Sequence, residues 1–149
     1  MTLHVARPAG AMVPLGALMR FAGKRPSRAE RGVYYLEDPV VFVADGIPMT
    51  IGPGALTDLA SVPWFLRFAI QPEDWPWQTP GIIHDHAYAE LALTRRQADR
   101  WWREACMDLR APHRLTWASW LALRATGWVA WSKNRRQLRR LGTHWRYLR

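Results

Sequence analysis

From Gly32 onward the stretch GVYYLEDPVVFVADGIPMTIGPG alternates apolar with polar positions and is rich in β-branched and aromatic residues. That period of two predicts strands over 33–37, 39–44 and 47–51. Asp45-Gly46 between the second and third is the cue for a type I′ hairpin, whose two central residues both need positive φ. Pro48 lacks the N–H that a central strand would donate, so the third strand is expected at a sheet edge. Pro53 and Gly54 end it. Pro63 then pushes Val62 toward extended backbone, leaving Thr57 to Val62 as a defined loop, the kind of segment that presents functional groups.

Beyond the Trp- and Pro-rich connector QPEDWPWQTP the apolar spacing lengthens to that of helices. Thr79 suits an N-cap and Pro80 the first helical position, which predicts a helix reaching about Leu93. Thr94 with Gln97 makes a capping box that opens a second helix, running to about Arg110 before Pro112 stops it. A third, from about Arg114 into the 130s, sets Leu115, Ser119, Ala122, Ala125 and Val129 on one stripe. Strands followed by helices predict an α+β fold: a small N-terminal antiparallel β-meander, then a three-helix C-terminal part. Residues 1–31, broken by Pro8, Pro14, Gly16, Gly23 and Pro26, read as an irregular arm; 32–132 form one domain, and 133–149 a basic tail.

Charge sharpens that division. The net charge is +9, but residues 1–108 carry 11 Lys/Arg against 12 Asp/Glu, whereas 109–149 carry 10 Lys/Arg and no acid. A near-neutral body thus joins a basic segment, either a solvated arginine face or a surface for an anionic partner such as nucleic acid, phospholipid or an acidic protein. A hydrophobic content of 49% supplies a core and argues against disorder. Cys106 is alone, which excludes an intramolecular disulfide and, with scattered histidines, a structural zinc site. No apolar run approaches the roughly 20 residues of a membrane span, and Pro8 and Pro14 argue against a secretory leader, so a soluble chain is expected.

Candidate chemistry centres on GIIHDHAYAE, residues 81–90. His84, Asp85 and Tyr88 share one side of the predicted helix, while His86 turns away as a surface group. Asp99, one turn into the next helix, returns toward His84 if the two helices run antiparallel. Two uses fit. In one, His84 is a general base or metal ligand oriented by Asp99, and Asp85 with Asp58 holds a hard divalent cation such as calcium. In the other, the same groups hydrogen-bond to neighbouring backbone and knit helix to loop. Thr57 and Ser61 line that loop; Ser61 sits in no Gly-x-Ser-x-Gly elbow, which argues against serine hydrolysis.

Ten tryptophans extend the picture. Trp64, Trp101, Trp117, Trp120 and Trp128 are spaced as core residues. Trp131 and Trp145 instead interleave with Lys133, Arg135, Arg136, Arg139, Arg140 and Arg146, a mixture suited to phosphate backbones, lipid headgroups or protein interfaces.

Taken in order, GALTDLASVP, GIIHDHAY and TRRQADRWWREAC, followed by a Trp/Leu-rich helix reaching a glycine, resemble a phage and prophage family, the domain-of-unknown-function family numbered thirteen fifty-three. The resemblance spans roughly Gly32 to Trp131 and rests on Thr57, Asp58, Ser61, Pro63, His84, Asp85, Tyr88, Ala98 and Asp99. It implies an origin in a tailed phage or prophage and no set activity. Locally, His84-Asp85-x-x-Tyr88 is also similar to the helix of secreted phospholipases of the A-two class. That likeness implies a water-activating His84, a calcium-binding Asp85 and a supporting Asp99; disulfides and the glycine-rich calcium loop are missing.

Two functions follow as expectations. The first is a virion- or tail-associated protein, in the virion or the host cytoplasm, acting in assembly or at the host envelope through its basic Trp/Arg-rich tail. Its partners would be other phage structural proteins or an anionic surface. The second is a cation-assisted hydrolase of an ester or amide bond in the host envelope.

Overall fold

The structure, a computed structural model, describes residues 4–5, 19–21, 34–36, 39–53, 55–57, 59, 69–71, 76–90 and 92–141. In chain order these form β1 (His4–Val5), β2 (Met19–Phe21), β3 (Tyr34–Leu36), β4 (Val40–Ala44), β5 (Ile47–Ile51), β6 (Leu56–Thr57), α1 (Gln78–Ala89), α2 (Arg95–Asp108), α3 (His113–Thr126) and α4 (Trp128–Leu141). The architecture is α+β, a hairpin followed by a helical part, with four helices where three were expected.

The β4–β5 hairpin follows its sequence cues. Asp45 and Gly46 have φ of 53° and 81°, the two positive angles of the expected turn. Val43 pairs with Pro48, and β5 lies at the edge of a sheet ordered β1-β4-β5. Along β4 alternate residues Val40, Phe42 and Ala44 enter the core. Arg100 of α2 reaches back to the turn, its Nη2 2.9 and 2.7 Å from the two carboxylate oxygens of Asp45.

The expected meander is corrected. β3 does not pair with β4 but lies between β2 and β6 in a second antiparallel sheet. The sequence between β3 and β4, Glu37-Asp38-Pro39, holds no Asn-Gly or Asp-Gly pair, so it lacks the hairpin cue that Asp45-Gly46 supplies. Two stretches of the N-terminal arm are likewise strands rather than irregular chain, β1 on β4 and β2 on β3.

Helix ends show where local chemistry prevailed. α2 carries the capping box: Gln97 N–H donates to Thr94 Oγ1 at 3.3 Å, and Thr94 N–H to Gln97 Oε1 at 2.9 Å. α1 begins two residues earlier than expected, with Trp77 at the N-cap and Thr79 inside the first turn. It also stops sooner, at Ala89. The long third helix divides at Gly127, whose φ of −64° and ψ of −14° keep the chain close to helical. Gly127 N–H donates to Leu123 O at 2.8 Å, closing α3, and Trp131 N–H donates to Gly127 O at 2.9 Å, opening α4.

The core lies where the hairpin meets α1 and α2. Phe42 packs edge-on against Trp101 at 6.0 Å, with Ile82, Ile83, Ala87 and Ala98 around them. A second cluster of Trp77, Trp102, Cys106 and Leu123 joins α2 to α3. Not every tryptophan is inside: Trp101 is buried, but Trp117 and Trp128 are exposed, and Trp64 lies outside the described residues. No helix among the described residues is long and apolar enough to cross a membrane.

Candidate functional site

α1 and α2 are held antiparallel by their short connection, and this brings His84 and Tyr88, one turn apart, against Asp99. His84 Nε2 lies 3.0 Å from Asp99 Oδ1, and Tyr88 donates its hydroxyl to the same oxygen at 2.8 Å. Arg124 of α3 donates to Asp99 Oδ2 at 2.8 Å. Asp99 has no exposed surface, and His84 is 3% exposed. The His84 and Tyr88 rings also touch, their centroids 4.2 Å apart.

The charge state follows from these partners. Burial pushes the Asp99 carboxyl up, but the hydrogen bond and electrostatic attraction of His84, then the hydrogen bonds from Arg124 and Tyr88, more than offset it, and the group stays below the ordinary aspartate value. Tyr88 moves the opposite way: burial first, then the Asp99 charge and hydrogen bond, raise its phenol far above the usual value near 10.0. Asp99 is thus an anion holding three donors.

Asp85, next to His84 in sequence, faces β6 instead. Thr57 donates its hydroxyl to Asp85 Oδ2 at 2.5 Å, and the Leu59 N–H approaches the same oxygen and Thr57 Oγ1, each at 3.2 Å. Leu59 has φ of 50°, costly for a branched side chain, and is buried against Gly81, where an added Cβ would lie 3.2 Å from Leu59 Cδ2. The glycine that opens GIIHDHAY therefore makes room for the loop. The bond to Asp85 helps hold Leu59 in a conformation its side chain disfavours.

Among the described residues the polar side chains form two hydrogen-bonded groups on adjacent faces of α1. His84, Tyr88 and Asp99 come together as the sequence suggests, and Thr57 meets Asp85. Asp58 and Ser61 lie outside the described residues, so a cation site of Asp85 with Asp58 has Asp85 alone in the described structure. Among the described residues no three His, Cys, Asp or Glu side chains gather as metal ligands. His86 is half-buried rather than a surface group, with Nε2 3.6 Å from Glu90.

Two participants escaped the sequence reading. Arg124 is the one charged residue in the run from Leu115 to Ser132, a signal that its cation has a buried partner. Gly127 is the other: a Cβ there would sit 2.8 Å from the Tyr88 hydroxyl.

The basic residues separate into two kinds. Lys133, Arg136, Arg139 and Arg140 are exposed along α4, whereas Trp145 and Arg146 lie outside the described residues. Arg135, expected to meet an anionic partner, turns inward. Its Nη2 donates to Glu90 O at 2.6 Å and Leu93 O at 2.7 Å, and its guanidinium lies 4.0 Å from the Trp131 ring centre. It supplies a donor to the carbonyl of the α1 C-cap residue, Glu90, and to that of Leu93 in the connection to α2.

A family model described as "Protein of unknown function (DUF1353)" matches residues 34–123. That span holds Thr57, His84, Asp85, Tyr88 and Asp99 and ends one residue before Arg124. Comparison with curated proteins and with solved structures yields no match.

Proposed function

The chain belongs to the DUF1353 family, described without an activity, and we propose that it works by docking. It is read as a phage or prophage protein, associated with the virion or its tail, that acts in assembly or at the host envelope through the basic face of α4. The carrying observation is a division of roles among its charges. Asp99 spends its carboxylate on three internal donors, while Lys133, Arg136, Arg139 and Arg140 stand exposed in a segment, 109–149, without a single acid. The buried cluster then serves as a strut that fixes the angle between α1, α2 and α3, and the basic helix is the working surface.

The test is to replace those four exposed side chains together with Gln and to measure how much chain is incorporated into particles or retained on the host envelope. The reading expects at least a ten-fold fall with unchanged thermal stability. Undiminished incorporation would contradict it.

A second reading is favoured by one specific observation, the His84–Asp99 contact supported by Tyr88. With Nε2 held by Asp99, Nδ1 would take a proton from water as its oxygen adds to an ester or amide carbonyl, and Asp99 would stabilise the imidazolium. Asp85 would contribute to holding a divalent cation, which polarises that carbonyl. The reading needs water to reach a side chain that is 3% exposed, and it places second for that reason. Hydrolysis of ester and amide substrates, with and without calcium, separates the two: a rate lost in a folded His84→Ala chain supports catalysis, and equal background rates in both chains reject it.

A further inference from the structure

The outer face of α3 and α4 carries a second feature besides charge. α3 ends on the bond from Gly127 N–H to Leu123 O and α4 opens on the bond from Trp131 N–H to Gly127 O, with Gly127 alone between the two helices. Trp117 and Leu121 lie one turn apart on α3, Trp128 and Val129 open α4, and they are 41%, 59%, 60% and 57% exposed. Ala118 and Ala125, also exposed, fill the gaps between them. The opposite side of the same helices carries the buried Thr116, Ser119, Leu123 and Leu138. The apolar stripe passes into Arg136, Arg139 and Arg140 at one end, and Arg114 stands exposed at the other.

We propose that this face is a peripheral membrane-binding surface that lies flat on a bilayer containing anionic phospholipid, with Trp117, Leu121, Trp128 and Val129 entering the headgroup–acyl boundary and Arg136, Arg139 and Arg140 pairing with lipid phosphates. The assignment rests on the docking reading and names its partner. Three observations favour lipid over other anions. Leu121 and Val129 offer nothing to a nucleic-acid phosphate, but they bury well among acyl chains. A second copy of the same face would set arginine against arginine, with no acid from 109–149 to pair them. Tryptophan beside arginine on an otherwise aliphatic stripe is the composition of a helix lying in a membrane interface.

The experiment is sedimentation of the full-length chain with vesicles of phosphatidylcholine alone and of phosphatidylcholine mixed with phosphatidylglycerol, at physiological salt. Two variants accompany it, Leu121→Gln/Trp128→Gln/Val129→Gln and Arg136→Gln/Arg139→Gln/Arg140→Gln; all six positions are exposed, and melting curves verify that both fold. The expected result is at least ten-fold more native chain on the mixed vesicles than on pure phosphatidylcholine, with each variant falling at least ten-fold on the mixed vesicles. Three results would overturn the assignment: native binding matched by the apolar variant, sedimentation with DNA but not with vesicles, or self-association through this face. If the native chain ignores vesicles while the arginine variant still loses its place on particles, docking stands and the lipid assignment falls. If that variant docks normally, the docking reading itself fails.

Discussion

Asp99 is the residue on which His84, Tyr88 and Arg124 converge, and replacing it tests the strut directly. Asp99→Asn removes the charge that His84 and Arg124 face and turns one acceptor into a donor, which sets an amide N–H against either Arg124 or the His84–Tyr88 pair. The expected cost in a urea titration is about 3 kcal/mol, the scale for breaking one partner of a buried ion pair. A cost below about 0.5 kcal/mol, that of an ordinary surface change, would mean that the cluster holds nothing. The pH dependence has a definite sign. The folded-state value lies below the unfolded one, so this stabilisation is fully present above the ordinary aspartate range and is lost as pH falls through the depressed value. The Asn variant should lack that acid-side loss. Gly127→Ala makes a complementary test: in an exposed helix it would add up to about 1 kcal/mol, but here a Cβ pressing on the Tyr88 hydroxyl should reverse the sign, to about 1–3 kcal/mol destabilising in a thermal melt. Gly81→Ala should cost less, because the atom it meets is the movable end of Leu59. At this scale His84, Tyr88 and Asp99 were legible from helical spacing alone. Arg124 and Gly127 were not, because their roles come from a helix that packs across the site from later in the chain.

Each element reflects a contest between local signal and tertiary contact. The capping box of α2 and the type I′ turn of β4–β5 involve residues within a few positions of one another, and both formed as the sequence indicates. β3 was misplaced because its partners, Met19–Phe21 and Leu56–Thr57, lie far along the chain and no local pattern announces such pairing. The basic helix shows the same limit: by composition Arg135 and Arg136 are interchangeable, but one faces carbonyls and the other solvent. Arg135→Ala should therefore destabilise the fold by about 1–3 kcal/mol by leaving the carbonyls of Glu90 and Leu93 without their donor. Arg136→Ala should stay within about 0.5 kcal/mol. Equal effects of the two substitutions in chemical denaturation would remove the distinction between a structural and a surface arginine.

Across the molecule, charge is partitioned: a near-neutral body in which Asp45 pairs with Arg100 and Asp99 with Arg124, and a C-terminal helix that carries exposed cations with no acid near them in sequence. The partition was legible in the sequence because it depends on counting alone. Which cations stay exposed was not, since that is fixed by how α4 lies against α1. The account's central claim is that the exposed basic face works and the buried cluster supports it. The most direct measurement compares three folded chains in one co-sedimentation experiment with purified particles and envelope membranes: native, His84→Gln, and Lys133→Gln/Arg136→Gln/Arg139→Gln/Arg140→Gln. His84→Gln is expected to bind within two-fold of native while the four-residue variant binds at least ten-fold less. Full binding by the four-residue variant, with binding or hydrolysis lost in His84→Gln, would contradict it.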